Sequence, residues 1–298
     1  VHTKVDGMAS ERGAPRDEID YAKVSMRGAR ALQVATVTGL FLIALISSQT
    51  TYALAQHTAD LSANRVLLTA GERARGSLYW EKRGAGMVIY SVPTKQRHVA
   101  ITFDDGPHST YTPQILAVLE GFHAKATFFV IGDEMRKKSK LLKDIHLRGH
   151  EIGNHTQTHP QVNKMTTSEV EACDSAITFV TGVKPTLLRP PGGRISEQTL
   201  QVARRTQHKL ILWTWDVDTR DWSQPGVFKI VQLVVSHIDP GDIVLFHDGG
   251  GKRSQTVAAL RIILNQLTKD GYQFVTVSQL LQERVPAKHK AMRLNRRE

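Results

Sequence analysis

The sequence predicts an α/β fold, an incomplete or distorted βα barrel. From His98 onward, short runs rich in β-branched and aromatic residues alternate with stretches of helical periodicity, about seven times over roughly 190 residues. The chemistry-bearing polar residues stand just behind the ends of those runs, where the βα loops of a barrel gather on one face. The chain has 298 residues, 41% of them hydrophobic, enough to bury a sizeable core. A doubly wound open sheet also fits the alternation and stays open as the alternative.

Each element has a local reason. Val99–Phe103 is a β-type run, and Thr112–Phe122 carries Ile115, Leu116, Val118, Leu119 and Phe122 at helical spacing. Ala126–Ile131 reads as the second strand. Ser139–Arg148 reads as a helix with Leu141, Leu142 and Ile145 on one face and Gly149 as its stop. Glu151–Gly153 is a short third strand. Thr166-Thr167-Ser168-Glu169 reads as a capping box that opens a helix running to Thr181, before Gly182. Thr186–Leu188, Leu210–Trp215, Ile243–Phe246 and Gln273–Val277 are the remaining strands. Helices at Ser196–Gln207, Gly226–Ile238 and Gln255–Lys269 separate them, and Ser278–Arg284 closes the series.

Ahead of this region, Ala31 to Ala59 contains no Asp, Glu, Lys or Arg, and Val34–Ile46 is almost wholly apolar. Arg27 and Arg30 precede it and Ala53-Leu54-Ala55 follows, the order of a signal peptide over Met26–Ala55. The apolar core is short for a membrane span, which needs about 20 residues. An uncleaved anchor through residues 31–55 is the competing reading, and both put the rest of the chain outside the cytoplasmic membrane, secreted or wall-associated. The expected organisation is a tail and signal peptide or anchor over 1–55, a linker and domain edge over 56–97, a catalytic domain over 98–284 and a basic tail over 285–298. Within the linker, Ser77–Trp80 and Met87–Tyr90 read as short strands or packing segments.

Lys and Arg number 39 against 28 Asp and Glu, a net charge of +11. Such a balance suits polyanionic surroundings. No RNA-binding signature, zinc-finger pattern or aromatic–basic interleaving accompanies it, so nucleic acid is not expected as a partner, and no protein partner is inferred. Cys173 is the only cysteine, which excludes an intrachain disulfide and a Cys-based zinc site. Its helical setting reads as a small core residue.

The first strand ends in two adjacent carboxylates, Asp104 and Asp105, followed by Gly106 and Pro107. Neighbouring Asp side chains repel unless a metal ion or a proton offsets the charge, although a plain strand-to-turn exit also uses Asp and Gly. After the third strand come His155 and His159, four apart, so both imidazoles can reach one ion. Imidazoles with a carboxylate suit zinc, iron, cobalt or nickel better than magnesium or calcium. One Asp and two His leave coordination positions open for water and substrate. Arg189-Pro190-Pro191-Gly192-Gly193-Arg194 follows the fourth strand, stiffened by its prolines and opened to a ligand by its glycines. Trp213, Trp215, Asp216, Asp218, Asp221 and Trp222 surround the end of the fifth, indole faces beside carboxylates that suit a sugar ring. His247 stands at the end of the sixth, before a Gly-rich loop, as a candidate acid or base. His108, His123, His146, His150, His208 and His237 have no partners at ligand spacing and read as ordinary loop or helix residues.

Five segments stand in a recognisable order: Thr102-Phe103-Asp104-Asp105-Gly106-Pro107, His155-Thr156-Gln157-Thr158-His159, Arg189-Pro190-Pro191-Gly192, Asp218-Thr219-Arg220-Asp221-Trp222 and Leu245-Phe246-His247. Over about His98 to Gln282 the chain resembles the polysaccharide deacetylases, the NodB-homology family, carbohydrate esterase family 4. The resemblance implies a distorted (β/α)7 barrel of NodB-homology type. It implies removal of N-acetyl groups from GlcNAc-type residues of a cell-wall or extracellular polysaccharide, with a divalent metal, usually zinc, cobalt or another transition metal being possible. By that resemblance Asp104 is the general base, and Asp105, His155 and His159 hold the metal. Arg189 pairs with Asp104, Trp222 lines the sugar groove, Leu245 helps form the acetyl-methyl pocket, and His247 is the general acid. Family members often carry an aromatic residue where Gly192 stands, so only its N–H remains, as an oxyanion donor. Thr156 replaces the commoner Ser. The carboxylate supporting His247 is left between Asp216 and Asp218. A catalytically inert sugar-binding module on the same fold is the alternative.

Overall fold

The computed structural model describes residues 70–161 and 164–285. The chain divides into two units, Val1–Leu67 and Leu68–Glu298, and the described residues belong to the second. The expected signal peptide or anchor lies outside the described residues, as does the basic tail apart from Val285. Among the described residues, no helix is long and apolar enough to cross a membrane.

In chain order the elements are α1 (Ala70–Arg83), β1 (Val88–Ile89), β2 (His98–Gly106), α2 (Tyr111–Gly121), β3 (Ala126–Val130), α3 (Gly132–Met135), α4 (Ser139–Leu147), β4 (Glu151–Asn154) and α5 (Thr167–Thr181). There follow β5 (Leu187–Leu188), α6 (Glu197–Thr206), β6 (Lys209–Ile211), α7 (Val227–His237), β7 (Ile243–His247), α8 (Ser254–Lys269), β8 (Gln273–Phe274) and α9 (Val277–Gln282). The strands run parallel in the order β1-β6-β5-β4-β3-β2-β7, with β8 paired to the start of β2. An antiparallel bridge, Ser91 to Asp242, links the chain after β1 to the entrance of β7. The two ends of the sheet therefore meet, which makes it a distorted (β/α)7 barrel rather than an open doubly wound sheet.

Alternation along the strands decides what faces the interior. On β2, Val99, Ile101 and Phe103 join the outer core with Ile115 and Leu119 of α2 and Leu260 and Ile263 of α8. The Phe103 ring stacks on Phe128, centroids 4.9 Å apart, and on Phe246 at 5.9 Å. The intervening residues Ala100, Thr102 and Asp104 lie on the opposite face of the strand, because side chains alternate with a period of two. In register with them stand Ile243, Leu245 and His247 of β7. The same alternation that fills the core with Phe and Val thus delivers Asp104, Leu245 and His247 to one face.

The structure departs from the sequence reading in four places. Ser77–Trp80, read as a short strand or packing segment, lies inside α1, whereas β1 forms within Met87–Tyr90, where a short strand is one of the two readings. It pairs Val88 with Leu210 and Ile89 with Ile211, but two residues are too few to show a period. β6 stops at Ile211 rather than Trp215, because the carbonyls of Ile211 and Leu212 accept hydrogen bonds from the Arg189 guanidinium at 2.9 and 3.0 Å. β8 ends at Phe274, and Thr276 caps α9, its side chain and that of Gln279 satisfying each other's backbone N–H groups. At α5, Thr166 Oγ1 accepts from Glu169 N–H as expected, but Glu169 does not reach back: its carboxylate takes the N–H and hydroxyl of Thr158 at 2.9 and 3.0 Å.

Gly241 sits at the seam of the barrel with φ of +91°, and a Cβ there would lie 1.8 Å from the Val92 carbonyl oxygen. Its own carbonyl accepts from Val92 N–H at 2.9 Å. Gly241→Ala is expected to lower the free energy of unfolding by about 2 kcal/mol or more, since it combines positive φ with backbone overlap. Urea denaturation checks this; an unchanged midpoint would mean that the seam does not hold the barrel.

Candidate active site

The site is built where β2, β4, β5 and β7 end. β2 carries Asp104 inward, 4% exposed. Its pairing with β3 then slips between Asp104 and Gly106, a bulge that turns Asp105 out of the strand at φ of +71°. The two adjacent carboxylates are thereby separated. Asp104 Oδ1 accepts from Arg189 Nη1 at 2.7 Å, while Asp105 Oδ1 lies 3.5 Å from the Nε2 atoms of both His155 and His159. The glycine-rich loop after β7 packs directly onto this bulge: a Cβ on Gly249 would lie 2.0 Å from the Asp105 carbonyl oxygen.

Arg189 follows β5 and is fully buried. Its Nη1 also donates to Thr102 Oγ1 at 2.8 Å, its Nε and Nη2 donate to the carbonyls of β6, and its guanidinium lies 4.1 Å over the Phe129 ring. Burial pushes the guanidinium's pKa down, and the charge of and hydrogen bond to Asp104 oppose that. An arginine stays cationic under such opposition, so Asp104 has a fixed counter-charge.

His155 is buried, and its Nδ1 is 2.7 Å from the Arg189 carbonyl oxygen. A carbonyl only accepts, so Nδ1 carries the proton and Nε2 keeps its lone pair for a cation. His159 is half exposed and is held by its backbone N–H, which donates to Thr156 Oγ1 at 3.2 Å. The donor atoms of Asp105, His155 and His159 all lie within 4.8 Å of one another, the one such cluster among the described residues. Bonds of about 2.0–2.2 Å in tetrahedral array put donor atoms about 3.4 Å apart, so the two 3.5 Å separations fit a small divalent ion. Burial works to raise the Asp105 pKa, but the imidazoles of His155, His247 and His159 gathered around it hold it well below the usual carboxylate range.

His247 finds a carboxylate partner that the sequence reading left elsewhere. Its Nδ1 is 2.7 Å from Oδ1 of Asp221, and its backbone N–H donates to Asp221 Oδ2 at 2.9 Å. Asp216 is exposed, and Asp218 faces Arg220 at 3.7 Å. The reason is the early end of β6: the chain passes through two 3₁₀ turns, with Arg220 at φ of +48° between them, and brings Asp221 inward. Thr256 Oγ1 donates to the same carboxylate at 2.6 Å. Burial lowers the His247 pKa, but the Asp221 hydrogen bond and charge, with Asp104 and Asp105, outweigh it and raise the value above the ordinary 6.5. The DxxDW spacing contains Asp221, yet no local rule picks it from its acidic neighbours.

Leu245 is buried on the inward face of β7, and Trp222 is 38% exposed after the turn. Gly192 takes φ of +65° with nothing within 4 Å of a Cβ position, whereas a Cβ on Gly193 would meet the Trp213 ring at 2.3 Å. The open space beside Gly192 is where a larger side chain would stand. Asp248 was not anticipated as a feature of the site. It is fully buried, accepts from Thr112 Oγ1 at 2.5 Å, and burial with its Asp105 and Asp104 neighbours pushes its pKa up to about 7.

Comparison with known proteins agrees with this geometry. A family model described as polysaccharide deacetylase matches residues 91–211. A peptidoglycan-N-acetylglucosamine deacetylase of Bacillus cereus is 47% identical over 204 residues, covering 67% of this chain and 96% of the relative. A chitooligosaccharide deacetylase of Bradyrhizobium is 36% identical, covering 62% of this chain and 90% of the relative. The crystal structure of a peptidoglycan N-acetylglucosamine deacetylase superposes with a TM-score of 0.64 at 32% identity, over 69% of this chain and 98% of that one.

Removing Arg189 should be costly, because Asp104 would keep a buried charge without its partner. Arg189→Met is expected to lower the free energy of unfolding by about 3–5 kcal/mol, read by urea denaturation. A loss within the scatter of surface substitutions would mean that Asp104 takes up a proton or water instead.

Proposed function

Because this chain belongs to the polysaccharide deacetylase family (NodB homology, carbohydrate esterase family 4), we propose that it is a metal-dependent hydrolase. Its proposed reaction removes N-acetyl groups from GlcNAc-type residues of a cell-wall glycan. The observation that carries the reading is the convergence of three units at one barrel mouth. These are a carboxylate fixed by a buried arginine, a three-donor cluster of the right span, and a histidine backed by its own carboxylate. The relatives named as peptidoglycan and chitooligosaccharide deacetylases supply the substrate class. The catalytic domain, expected over 98–284, is proposed to include β1 as well, because that strand pairs with β6 in the same sheet. The chain is proposed to be exported through the signal segment of residues 26–55 and to act outside the cytoplasmic membrane.

Asp105, His155 and His159 would hold the ion, zinc by preference for this donor set. When bound, such an ion polarises the acetyl carbonyl and makes water a better nucleophile near neutral pH. Asp104 is the general base: Arg189 holds Oδ1, which leaves Oδ2 to take the proton of the attacking water. The backbone N–H of Gly192 faces the developing oxyanion. His247, its pKa raised by Asp221, carries a proton near neutral pH and gives it to the departing nitrogen as the C–N bond breaks. The products are acetate and a free amino sugar. Leu245 packs against the acetyl methyl, and Trp222 lies along the sugar face. An inert sugar-binding module would need none of the Asp104–Arg189 and His247–Asp221 pairs, and both are complete.

Acetate release from GlcNAc oligomers and from intact peptidoglycan tests this directly. Chelation is expected to abolish release, and zinc or cobalt to restore it; full activity in metal-free protein would sink the metal assignment. The absence of acetate release from every N-acetylated glycan, with metal supplied, would favour the binding module.

A second test isolates His247. An amine leaves poorly unless protonated, whereas an aryl oxide leaves readily. His247→Asn is therefore expected to reduce kcat/KM for the N-acetyl sugar by about 10²–10⁴ and far less for an activated aryl acetate. An equal loss on both substrates would assign His247 to binding or folding rather than proton donation.

A further inference from the structure

We infer that Asn154, Asp174 and His208 form a buried polar relay that positions the His155–His159 turn for its metal, an inference that rests on the metal-binding reading of that turn. None of the three takes part in the proposed chemistry, and all are at most 4% exposed: Asn154 0%, Asp174 4% and His208 2%. Buried polar groups on this scale need partners, and the partners here lead in one direction.

Asn154 is the last residue of β4, immediately before His155. Its Nδ2 donates to the Val170 carbonyl at 2.8 Å and to Asp174 Oδ1 at 2.7 Å. With both amide protons committed to acceptors, Oδ1 must face the other way, and there it accepts from Thr156 N–H at 2.7 Å. Asp174 sits mid-helix on α5 and would be a buried lone carboxylate without Asn154 and His208. His208 Nε2 lies 3.2 Å from Asp174 Oδ1, in contact but without hydrogen-bond alignment. Its Nδ1 is 3.0 Å from Thr206 Oγ1, which ties the far end to α6.

Thr156 is the point of delivery. It is fully buried, and its φ is +71°, a conformation that a β-branched residue adopts only when its surroundings impose it. Asn154 supplies the acceptor for its backbone N–H, and its hydroxyl in turn holds the N–H of His159. The spacing of the two imidazoles therefore depends on a residue whose backbone is held through Asn154. Asp174 fixes which way the Asn154 amide points, and His208 packs against the same carboxylate. Partners one shell out from metal ligands typically control about 10–100-fold in metal affinity.

The test uses the full chain and measures Zn²⁺ and Co²⁺ dissociation constants by chelator competition, beside the thermal midpoint of the metal-free protein. Asp174→Ala is expected to weaken both metals by about 10–100-fold. Asp174→Asn, which keeps an acceptor for Asn154 Nδ2, should recover most of that loss. Should the Ala variant fail to fold, His208→Gln carries the test, with a smaller weakening of the same sign. Metal affinities equal to wild type in the folded variants, whatever happens to the thermal midpoint, would overturn the relay and leave the cluster a packing feature. Wild-type protein that binds neither ion would instead overturn the metal-binding reading itself, and the relay with it.

Discussion

A buried arginine is the constraint on which the rest of this structure depends. Taking a guanidinium fully out of water costs several kcal/mol before any partner is counted. Arg189 offsets that with a carboxylate, a hydroxyl, two main-chain carbonyls and an aromatic face. The partners come from three parts of the barrel: Asp104 and Thr102 from β2, the carbonyls from β6 and its exit, and Phe129 from β3. The main chain of the same residue accepts from His155 Nδ1. One residue therefore fixes the proposed base through its side chain and one proposed metal ligand through its backbone.

The second constraint is the register of β2 against β7. Thr102 pairs with Leu245 and Asp104 with His247. Both strands bury every other residue in the Phe-rich outer core, so a slip of one residue would turn the site residues outward. The bulge at Asp105 lets two adjacent acids serve two purposes, since only a break in the alternation lets both point toward the mouth. The positive φ values at Asp105, Thr156 and His159 belong to the same economy of space. Regular backbone would not bring the side chains of Asp105, His155 and His159 to one point.

The two histidine environments differ in kind. His155 donates to a neutral carbonyl, which fixes its tautomer and leaves Nε2 as a donor toward a cation. His247 faces a carboxylate that is itself held by Thr256 and by the His247 backbone, which favours the protonated imidazole. A difference of one partner, carbonyl against carboxylate, separates the proposed ligand from the proposed acid on the same barrel face.

By itself the sequence determined the alternating α/β architecture, the strand that ends in Asp104 and Asp105, the pairing of His155 with His159, and the exit of Arg189 and His247 from strand ends. These are local properties: apolar period, spacing and turn chemistry act within a few residues. Only the tertiary structure decided the rest. Asp221 was chosen over Asp216 and Asp218 because β6 ends early, and it ends early because its carbonyls bond to a side chain more than twenty residues away in the chain. The two-residue β1 exists because β6 offers it a partner, and Glu169 left its expected capping role because Thr158 stood within reach. Hydrogen-bond partners across a barrel are selected by distance in space. A local pattern encodes which groups are available, and packing alone sets which of them meet.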